Sequence, residues 1–267
     1  MKCNICGCDC EKAFKTKVLF KYDVQYYECS NCRFIQTENP YWLSEAYQNS
    51  VIVELDIGLI SRNLQNQRFT SLVIDSFFDS KGKYLDYGGG YGMLVRLMRD
   101  AGYDFYRQDE YCANLFAKYF DVSDLKEKKF SLITSFEVFE HLENPGLEIT
   151  KMLEYSSNIL FSTELQPHLH PTPSTWWYFV PEGGQHVSLY TKESLNILAK
   201  KFDLHYYNRG NMHLFTKEKI KKLSILNFVV NFLFHKLVFK FIIKEKMSKL
   251  QSDFEFIKNK LYAVHII

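Results

Sequence analysis

Residues 83–95 read KYLDYGGGYGMLV, in which a short apolar strand pattern runs through four glycines into a helical pattern. Glycines at a strand-to-helix junction let the backbone approach a ligand closely and leave the amides at the helix N-terminus free for a carboxylate or phosphate. Asp86 precedes these glycines; it would repel a pyrophosphate but suits a cationic amino group. The stretch therefore predicts either a nucleotide-like ligand at Gly88, Gly90 and Gly92 or an ordinary tight turn.

This stretch opens a longer alternation of strand and helix patterns. Short apolar runs occur at residues 83–88, 104–109, 131–136 and 158–164. Helical patterns separate them at residues 93–102, 113–120 and 147–156. Such repetition predicts an α/β fold with a parallel sheet flanked by helices. Beyond it, residues 191–202 read as a capped helix and residues 204–215 as a hairpin.

Composition sets the broad class of the protein. The chain has 267 residues, 46% of them hydrophobic, which is enough for a sizeable core. Its formal net charge is only +2, so the overall charge predicts neither a nucleic-acid binder nor a trap for acidic substrates. The first residues lack the apolar stretch of a signal peptide, which predicts a cytoplasmic protein.

Four segments differ in composition. We expect a zinc-ribbon module at residues 1–37, linking helices at 38–80, a ligand-binding α/β domain at 81–216 and a basic, apolar helical tail at 217–267. Between Trp42 and Phe78, apolar residues recur at helical spacing after Pro40, which predicts one or two helices.

The first segment carries two CxxC pairs, separated by 22 residues, which is close to the spacing of zinc ribbons. The four cysteines of these pairs are Cys3, Cys6, Cys29 and Cys32. Four thiolates leave no open coordination position, so they predict a structural zinc ion that replaces a core this segment is too short to build. Cys8 and Cys10 are either spare thiols or alternative ligands, and a redox CxxC lacks its usual surroundings here.

A second acidic position follows the glycines by about twenty residues. Asp109 or Glu110 stands at the end of the second strand pattern, where a carboxylate can hold the hydroxyls of a ribose. The alternative is a surface acid at a helix start.

Three ordered motifs resemble those of class I S-adenosylmethionine-dependent methyltransferases of the type 11 and type 23 groups. They are YLDYGGGYG at residues 84–92, QDEY at 108–111 and SFEVFEHLENP at 135–145. The resemblance implies a Rossmann-like seven-stranded sheet whose last strand is antiparallel, and S-adenosylmethionine as methyl donor. It adds Phe136 and Glu137, beneath the donor, to the cofactor-binding residues. The cysteine module placed ahead of such a domain is similar to the arrangement in methyltransferases of sugar and polysaccharide biosynthesis.

Candidate catalytic residues lie in two places. His186 is in HVSLYT, residues 186–191, which resembles the segment that carries a histidine in sugar methyltransferases, and its ordinary pKa suits proton transfer. His141 and Glu140 lie in the motif that follows the fourth strand in class I methyltransferases, and they are the second candidates for catalytic residues. Each is alternatively a structural hydrogen-bonding group. Aromatic residues near Trp176 suit a ring-bearing acceptor, or they belong to the core or a lid. His168 and His170 lack a third metal ligand.

The tail combines charge with apolar residues. Residues 217–267 hold eleven lysines and four acids, and residues 223–243 are strongly apolar apart from His235, Lys236 and Lys240. This pattern predicts an interfacial helix at the inner face of a membrane, or a helical hairpin against the domain or a second subunit.

Taken together, the motifs and the resemblance predict an O-methyltransferase that acts on a sugar, glycan precursor or related small molecule. A catalytically silent cofactor-binding scaffold that uses the zinc module for protein interaction is the alternative. Nucleic-acid methylation ranks below both, since the cysteine module is not strongly basic.

Overall fold

The computed structural model describes residues 1–48, 56–167 and 170–221, together with positions 225, 228, 229, 252 and 256. The chain divides into two compact units. The first comprises Met1–Ile57 and Ser135–Glu218, and the second comprises Gly58–Thr134 and Lys219–Ile267. Leu55, His168 and most of the predicted tail helix at residues 223–243 lie outside the described residues.

Ten strands occur in the described part of the chain. They are β1 (Cys10–Val18), β2 (Tyr22–Cys29), β3 (Ile35–Thr37), β4 (Lys83–Tyr87), β5 (Asp104–Gln108), β6 (Leu132–Ser135), β7 (Asn158–Ser162), β8 (Ser188–Leu189), β9 (His205–Arg209) and β10 (Met212–Thr216). Five α-helices accompany them there: α1 (Leu43–Gln48), α2 (Leu59–Phe77), α3 (Met93–Asp100), α4 (Pro145–Tyr155) and α5 (Lys192–Lys201). Short 3₁₀ helices span Val122–Asp124, Phe139–His141 and Trp177–Phe179.

The larger sheet confirms the α/β class. Within the described residues it has six strands in the order β5-β4-β6-β7-β10-β9. Strand β4 pairs in parallel with β5 and β6, whereas β10 is antiparallel to β7 and β9. The predicted hairpin at residues 204–215 is therefore confirmed, and so is the capped helix, because Thr191 accepts a hydrogen bond from the amide of Ser194.

The seven-stranded sheet is not confirmed, and the helix predicted at residues 113–120 is wrong. Where a further strand would lie beside β5, the described chain forms only a single parallel bridge between Arg107 and Asp121. Residues 113–120 form bends and turns. Their polar groups are bound elsewhere: the amides of Leu115 and Phe116 donate to the carbonyl oxygen of Tyr91. In a helix over these residues the amide of Ala117 would donate to the carbonyl oxygen of Ala113, whereas here it donates to the side-chain oxygen of Asn114 at 2.9 Å.

The first unit contains a second sheet and its own core. This sheet has the order β1-β2-β3-β8, and Ile35 of β3 pairs with Leu189 of β8. Buried residues from both chain segments pack into one cluster: Val18, Leu19, Val24, Tyr26, Ile35, Trp42, Leu43, Ala46, Tyr178, Phe179, Val187 and Leu189. The N-terminal segment, expected to depend on metal for want of a core, shares an apolar core with residues 178–189.

The second unit contains helices α2 and α3, strands β4 and β5, and all but the last residue of β6. Helix α3 buries Leu94, Val95 and Met98, whose spacing gives one apolar face. Two tail residues of this unit pack against its aromatic side chains. The Phe228 ring lies 5.3 Å from that of Phe77, and the Phe256 ring lies 5.7 Å from that of Phe120. Among the residues that the structure describes, no helix is long and apolar enough to cross a membrane.

Candidate functional site

The glycine turn between β4 and α3 needs glycine for two different reasons. Gly88, Gly90 and Gly92 have φ angles of 71°, 52° and 85°, a region that side chains other than glycine rarely adopt. At Gly92 a Cβ atom would also lie 3.0 Å from the Cβ of Ala117. At Gly90, in contrast, a Cβ would meet no described atom within 4 Å. The backbone at Gly90 therefore borders open space, as a ligand-binding turn requires.

Asp109 is the acid that organises this turn. Its Oδ2 accepts a hydrogen bond of 2.8 Å from the amide of Gly90, and its Oδ1 accepts from the amides of Tyr111 and Cys112 at 2.8 and 2.7 Å. Glu110 is exposed to solvent. Between the two acids that the sequence left open, the structure thus brings Asp109 to the glycines.

Arg107 is a buried residue of the site that sequence analysis missed. Its Nε donates to the carbonyl oxygen of Gly90 at 2.9 Å, one terminal nitrogen contacts Asp121 at 3.1 Å, and the other donates to the carbonyl oxygen of Cys112. The guanidinium therefore ties the glycine turn to the segment that follows β5. The sequence offered one signal for this role, namely that Arg107 lies just before the two candidate acids Asp109 and Glu110. An arginine in a strand pattern does not by itself indicate a binding site.

Asp86 is buried at the end of β4, with 4% of its surface exposed. The hydroxyl of Thr134 donates to its carboxyl group at 2.7 Å. Burial raises the pKa of Asp86 to about 7; the bond from Thr134 opposes this shift, and the charge of Asp109 adds to it. A cationic ligand group nearby would favour the ionised form of this carboxyl group.

Phe136 and Glu137 follow β6 in the first unit. Glu137 has a φ of 55°, which is unusual for a residue other than glycine. Its Oε1 accepts a 2.6 Å hydrogen bond from the Ser162 hydroxyl, whose oxygen in turn accepts from the Glu137 amide at 2.9 Å. Their assignment as cofactor-binding residues stays a prediction.

The three candidate catalytic residues lie together in the first unit. Glu140 and His141 are on the 3₁₀ helix Phe139–His141, and the amide of Val187 donates to the carbonyl oxygen of Glu140 at 2.9 Å. This bond brings His186 alongside, so that the ligand atoms of Glu140, His141 and His186 all lie within 4.8 Å of one another.

Hydrogen bonding fixes the tautomer of His186. Its Nδ1 lies 2.5 Å from the carbonyl oxygen of Tyr178. Because a carbonyl oxygen only accepts, Nδ1 carries the proton and Nε2 keeps its lone pair. Burial lowers the pKa of His186 to about 4 and that of His141 well below its ordinary value. Both imidazoles are therefore neutral at pH 7.

Glu140 is fully buried beside these histidines. Among the described residues, neither of its carboxyl oxygens has a hydrogen-bond partner. Burial raises the pKa of Glu140 to about 8 and the negative charge of Glu137 adds to this shift, whereas the hydroxyl groups of Tyr178 and Thr163 oppose it. A carboxyl group in this condition is costly unless something else binds it.

The four predicted metal-ligating cysteines form a second cluster in the same unit. The sulfur atoms of Cys3 and Cys32 are 3.6 Å apart, those of Cys6 and Cys29 are 3.4 Å apart, and those of Cys6 and Cys32 are 3.7 Å apart. Four sulfurs about 2.3 Å from a tetrahedral zinc ion would be about 3.8 Å apart. The distances are too long for disulfides and fit a shared ion.

Both CxxC pairs adopt the same tight turn. The amide of Gly7 donates to the carbonyl oxygen of Cys3 at 2.9 Å, and that of Arg33 donates to Cys29 at 3.0 Å. Gly7 and Arg33 have φ angles of 75° and 58°. Cys8 and Cys10 lie outside the four-sulfur group. Burial raises the pKa of Cys10 to about 12, which keeps it a thiol.

The aromatic residues near Trp176 differ in solvent exposure. Tyr178 and Phe179 are buried in the core of the first unit, whereas Trp177 is 71% exposed. The hypothesis that these rings bind an acceptor therefore applies to Trp177 and the partly buried Trp176. His170 bonds to Glu28 at 2.7 Å.

A parallel strand followed by a glycine turn and an acid at the end of the next strand is typical of α/β proteins that bind nucleotide-like ligands. The family model described as "Methyltransferase domain" matches residues 61–208, more than half of the chain. The chain belongs to this family.

The solved structures that this chain matches have low identity to it and TM-scores below 0.5. The plantazolicin methyltransferase BpumL in complex with a monoazolic desmethylPZN analog and SAH is 16% identical, with a TM-score of 0.48 over 74% of this chain and 87% of that one. Magnesium protoporphyrin IX methyltransferase (ChlM) from Synechocystis PCC 6803 with bound SAH is 12% identical, with a TM-score of 0.42 over 60% and 82%. No match was found among curated protein sequences.

Proposed function

We propose that the chain is an S-adenosylmethionine-dependent methyltransferase that acts on an oxygen of a sugar, glycan precursor or related small molecule. The observation that carries the donor assignment is the glycine turn. Its backbone at Gly90 borders open space, while the side chains of Asp109 and Arg107 form hydrogen bonds with the Gly90 amide and carbonyl groups. Membership of the methyltransferase family agrees with this assignment.

The residues of the second unit suit the two charged ends of the donor's amino-acid part. Asp86 would face the ammonium group, and the free amides at the start of α3 would face the carboxylate. Asp109 retains acceptor capacity for a ribose hydroxyl, since each carboxylate oxygen has more than one lone-pair direction. No pyrophosphate is expected there, because Asp86 and Asp109 would repel it.

The bound donor supplies an electrophilic methyl group on a sulfonium, which is a good leaving group. Transfer of this methyl group to the acceptor oxygen would leave the carbon–sulfur electron pair on sulfur, and the acceptor hydroxyl would have to lose its proton. The Nε2 lone pair of His186 is a candidate acceptor for that proton. A pKa of about 4 makes His186 a weak base, so catalysis by this group alone would be inefficient.

We further propose that Cys3, Cys6, Cys29 and Cys32 hold a structural zinc ion. Support comes from the sulfur distances of 3.4–3.7 Å and the repeated turn at both pairs.

The donor assignment is tested by calorimetric titration of zinc-replete protein with S-adenosylmethionine and, separately, with NAD. Saturable binding of S-adenosylmethionine alone supports the proposal. Binding of neither by folded protein would contradict the donor assignment, whereas donor binding without methyl transfer would favour the cofactor-binding scaffold. Methyl transfer to sugar acceptors is then compared between the wild type and His186→Ala: loss of turnover with unchanged donor affinity places His186 on the acceptor side, and unchanged turnover removes it from catalysis.

A further inference from the structure

The cluster of Glu140, His141 and His186 has a feature that methyl transfer by itself does not explain. Glu140 is completely buried, and within the described chain neither of its carboxyl oxygens makes a hydrogen bond of normal geometry, although the hydroxyl groups of Tyr178 and Thr163 lie close enough to act on its charge. Buried polar atoms in native proteins are almost always satisfied, by protein, water or an ion. Two imidazole groups lie within 4.8 Å of this carboxyl group, and the centroids of their rings are 5.1 Å apart.

We propose that Glu140, His141 and His186 bind a divalent transition-metal ion through two imidazole nitrogens and one carboxylate oxygen. Such a set of two histidines and one carboxylate is typical of zinc, iron and manganese sites, and three ligands leave positions open for water or an acceptor oxygen.

The hydrogen bond of His186 prepares its ring for this role. A metal-ligating histidine commonly donates from its other nitrogen to a carbonyl or carboxylate group, which fixes the ring and its tautomer. The bond of 2.5 Å from Nδ1 to the Tyr178 carbonyl oxygen is of this kind and directs the lone pair to Nε2. His213 shows the opposite case: its Nδ1 bonds to the Tyr206 hydroxyl and its Nε2 to the carbonyl oxygen of Thr163, so both nitrogens are occupied.

Burial and access also favour a cation. The Glu140 side chain has no exposed surface, and a divalent cation bound to it would offset the cost of burying its charge. His141 is only partly buried, so an ion can enter from its side.

The geometry needs only a small adjustment. Ligand atoms about 2.1 Å from a common ion are about 3.0–3.4 Å apart in tetrahedral or octahedral sites. The three ligand atoms now lie within 4.8 Å. Closing that gap takes side-chain movements on the order of 1 Å, which rotation of Glu140 and His141 can supply.

A bound ion would resolve the weakness of His186 as a base. It would lower the pKa of an acceptor hydroxyl that reaches its open position, so that the proton could pass to solvent water. This consequence depends on the proposed methyl transfer. The binding of the ion does not, and it is measured without turnover.

The test uses full-length protein whose cysteine cluster has been loaded with zinc. Cobalt(II) is titrated calorimetrically and by visible absorption. We expect one further equivalent to bind, without the near-ultraviolet charge-transfer band that thiolate ligands give. Glu140→Gln keeps the shape of the side chain but removes its charge, and it should weaken cobalt binding by more than about 100-fold, since even second-shell changes cost 10–100-fold. His141→Gln, at a partly exposed position, should do the same if Glu140→Gln folds poorly.

The matched control is His205→Gln, because His205 is exposed on β9 and lies outside the cluster. It should bind cobalt as the wild type does. Failure of the zinc-loaded wild type to bind cobalt would overturn the proposal, and so would unchanged affinity in folded Glu140→Gln or His141→Gln. Titration of the same samples with S-adenosylmethionine separates this result from the donor assignment: loss of cobalt binding with intact donor binding concerns the metal site alone.

Discussion

Replacing Gly90 with alanine separates the conformational role of the glycine turn from its role in binding. Gly90 has a φ of 52°, and its Cβ would meet no described atom within 4 Å. Gly210, in the turn between β9 and β10, has a φ of 59° and is open in the same way. The two substitutions therefore impose the same backbone penalty, but only Gly90 borders the proposed donor site.

The expected stability loss is the same for both variants. An L-residue in the left-handed region costs about 1–2 kcal/mol. For a chain of this size, that corresponds to a fall in Tm of roughly 2–8 °C. Alanine keeps the Gly90 amide that donates to Asp109 and the carbonyl that accepts from Arg107, so the turn itself should persist.

Donor binding should distinguish the two variants. A methyl group forced into a close-packed contact costs about 1–3 kcal/mol, so Gly90→Ala should bind S-adenosylmethionine about 5–150-fold more weakly. Gly210→Ala should bind it with wild-type affinity. Thermal unfolding and calorimetric titration of both variants measure the two effects. Wild-type donor affinity in folded Gly90→Ala would refute the placement of the donor at this backbone.

Three further predictions concern the same two units. Arg107→Met leaves Asp121 without its buried partner and should lower the free energy of unfolding, measured by urea denaturation, by about 3–5 kcal/mol. The control Arg96→Met breaks a more exposed ion pair with Asp100 and should lower the free energy of unfolding by about 0.5 kcal/mol or less. The pKa of Asp86 is raised to about 7, so in the folded protein this carboxyl group keeps a proton that it loses near pH 4 in the unfolded chain. The free energy of unfolding should therefore fall by up to about 1.4 kcal/mol per pH unit as the pH rises from 4 to 7. Folded Asp86→Asn should lack this component of the pH dependence. Cys29→Ser should lose one equivalent of zinc by elemental analysis, while Cys8→Ser should retain it; equal zinc in both would contradict the four-cysteine site.

The features of the site that could be predicted from sequence are those carried by local pattern. The glycine turn, the strand before it and the two CxxC pairs each depend on residues close together in the chain, where spacing fixes geometry. Sequence also left two acids, Asp109 and Glu110, as candidates for the position beside the glycines. The choice between them needed the structure, because it depends on which carboxylate meets the amide of Gly90.

The failed predictions depend on partners distant in sequence. Residues 113–120 have a helical apolar pattern, yet Leu115 and Phe116 are exposed and their amides bond to Tyr91. The core of the N-terminal segment is supplied in part by residues 178–189, about 150 positions away. Neither periodicity nor propensity contains this information, since tertiary contacts override both.

The histidines show most clearly why residue type and burial are insufficient to assign a role. Burial lowers the pKa of His186 and of His213 to about 4, so the two titrate alike. Their hydrogen bonds differ, however. Both nitrogens of His213 are occupied by protein groups, which makes it structural. His186 has one nitrogen bound to a carbonyl oxygen, and it belongs to a group of three side chains, with Glu140 and His141, whose ligand atoms lie within 4.8 Å of one another. A neutral imidazole with this arrangement is a poor base but a good metal ligand, and the same geometry therefore favours an ion over a proton at Nε2.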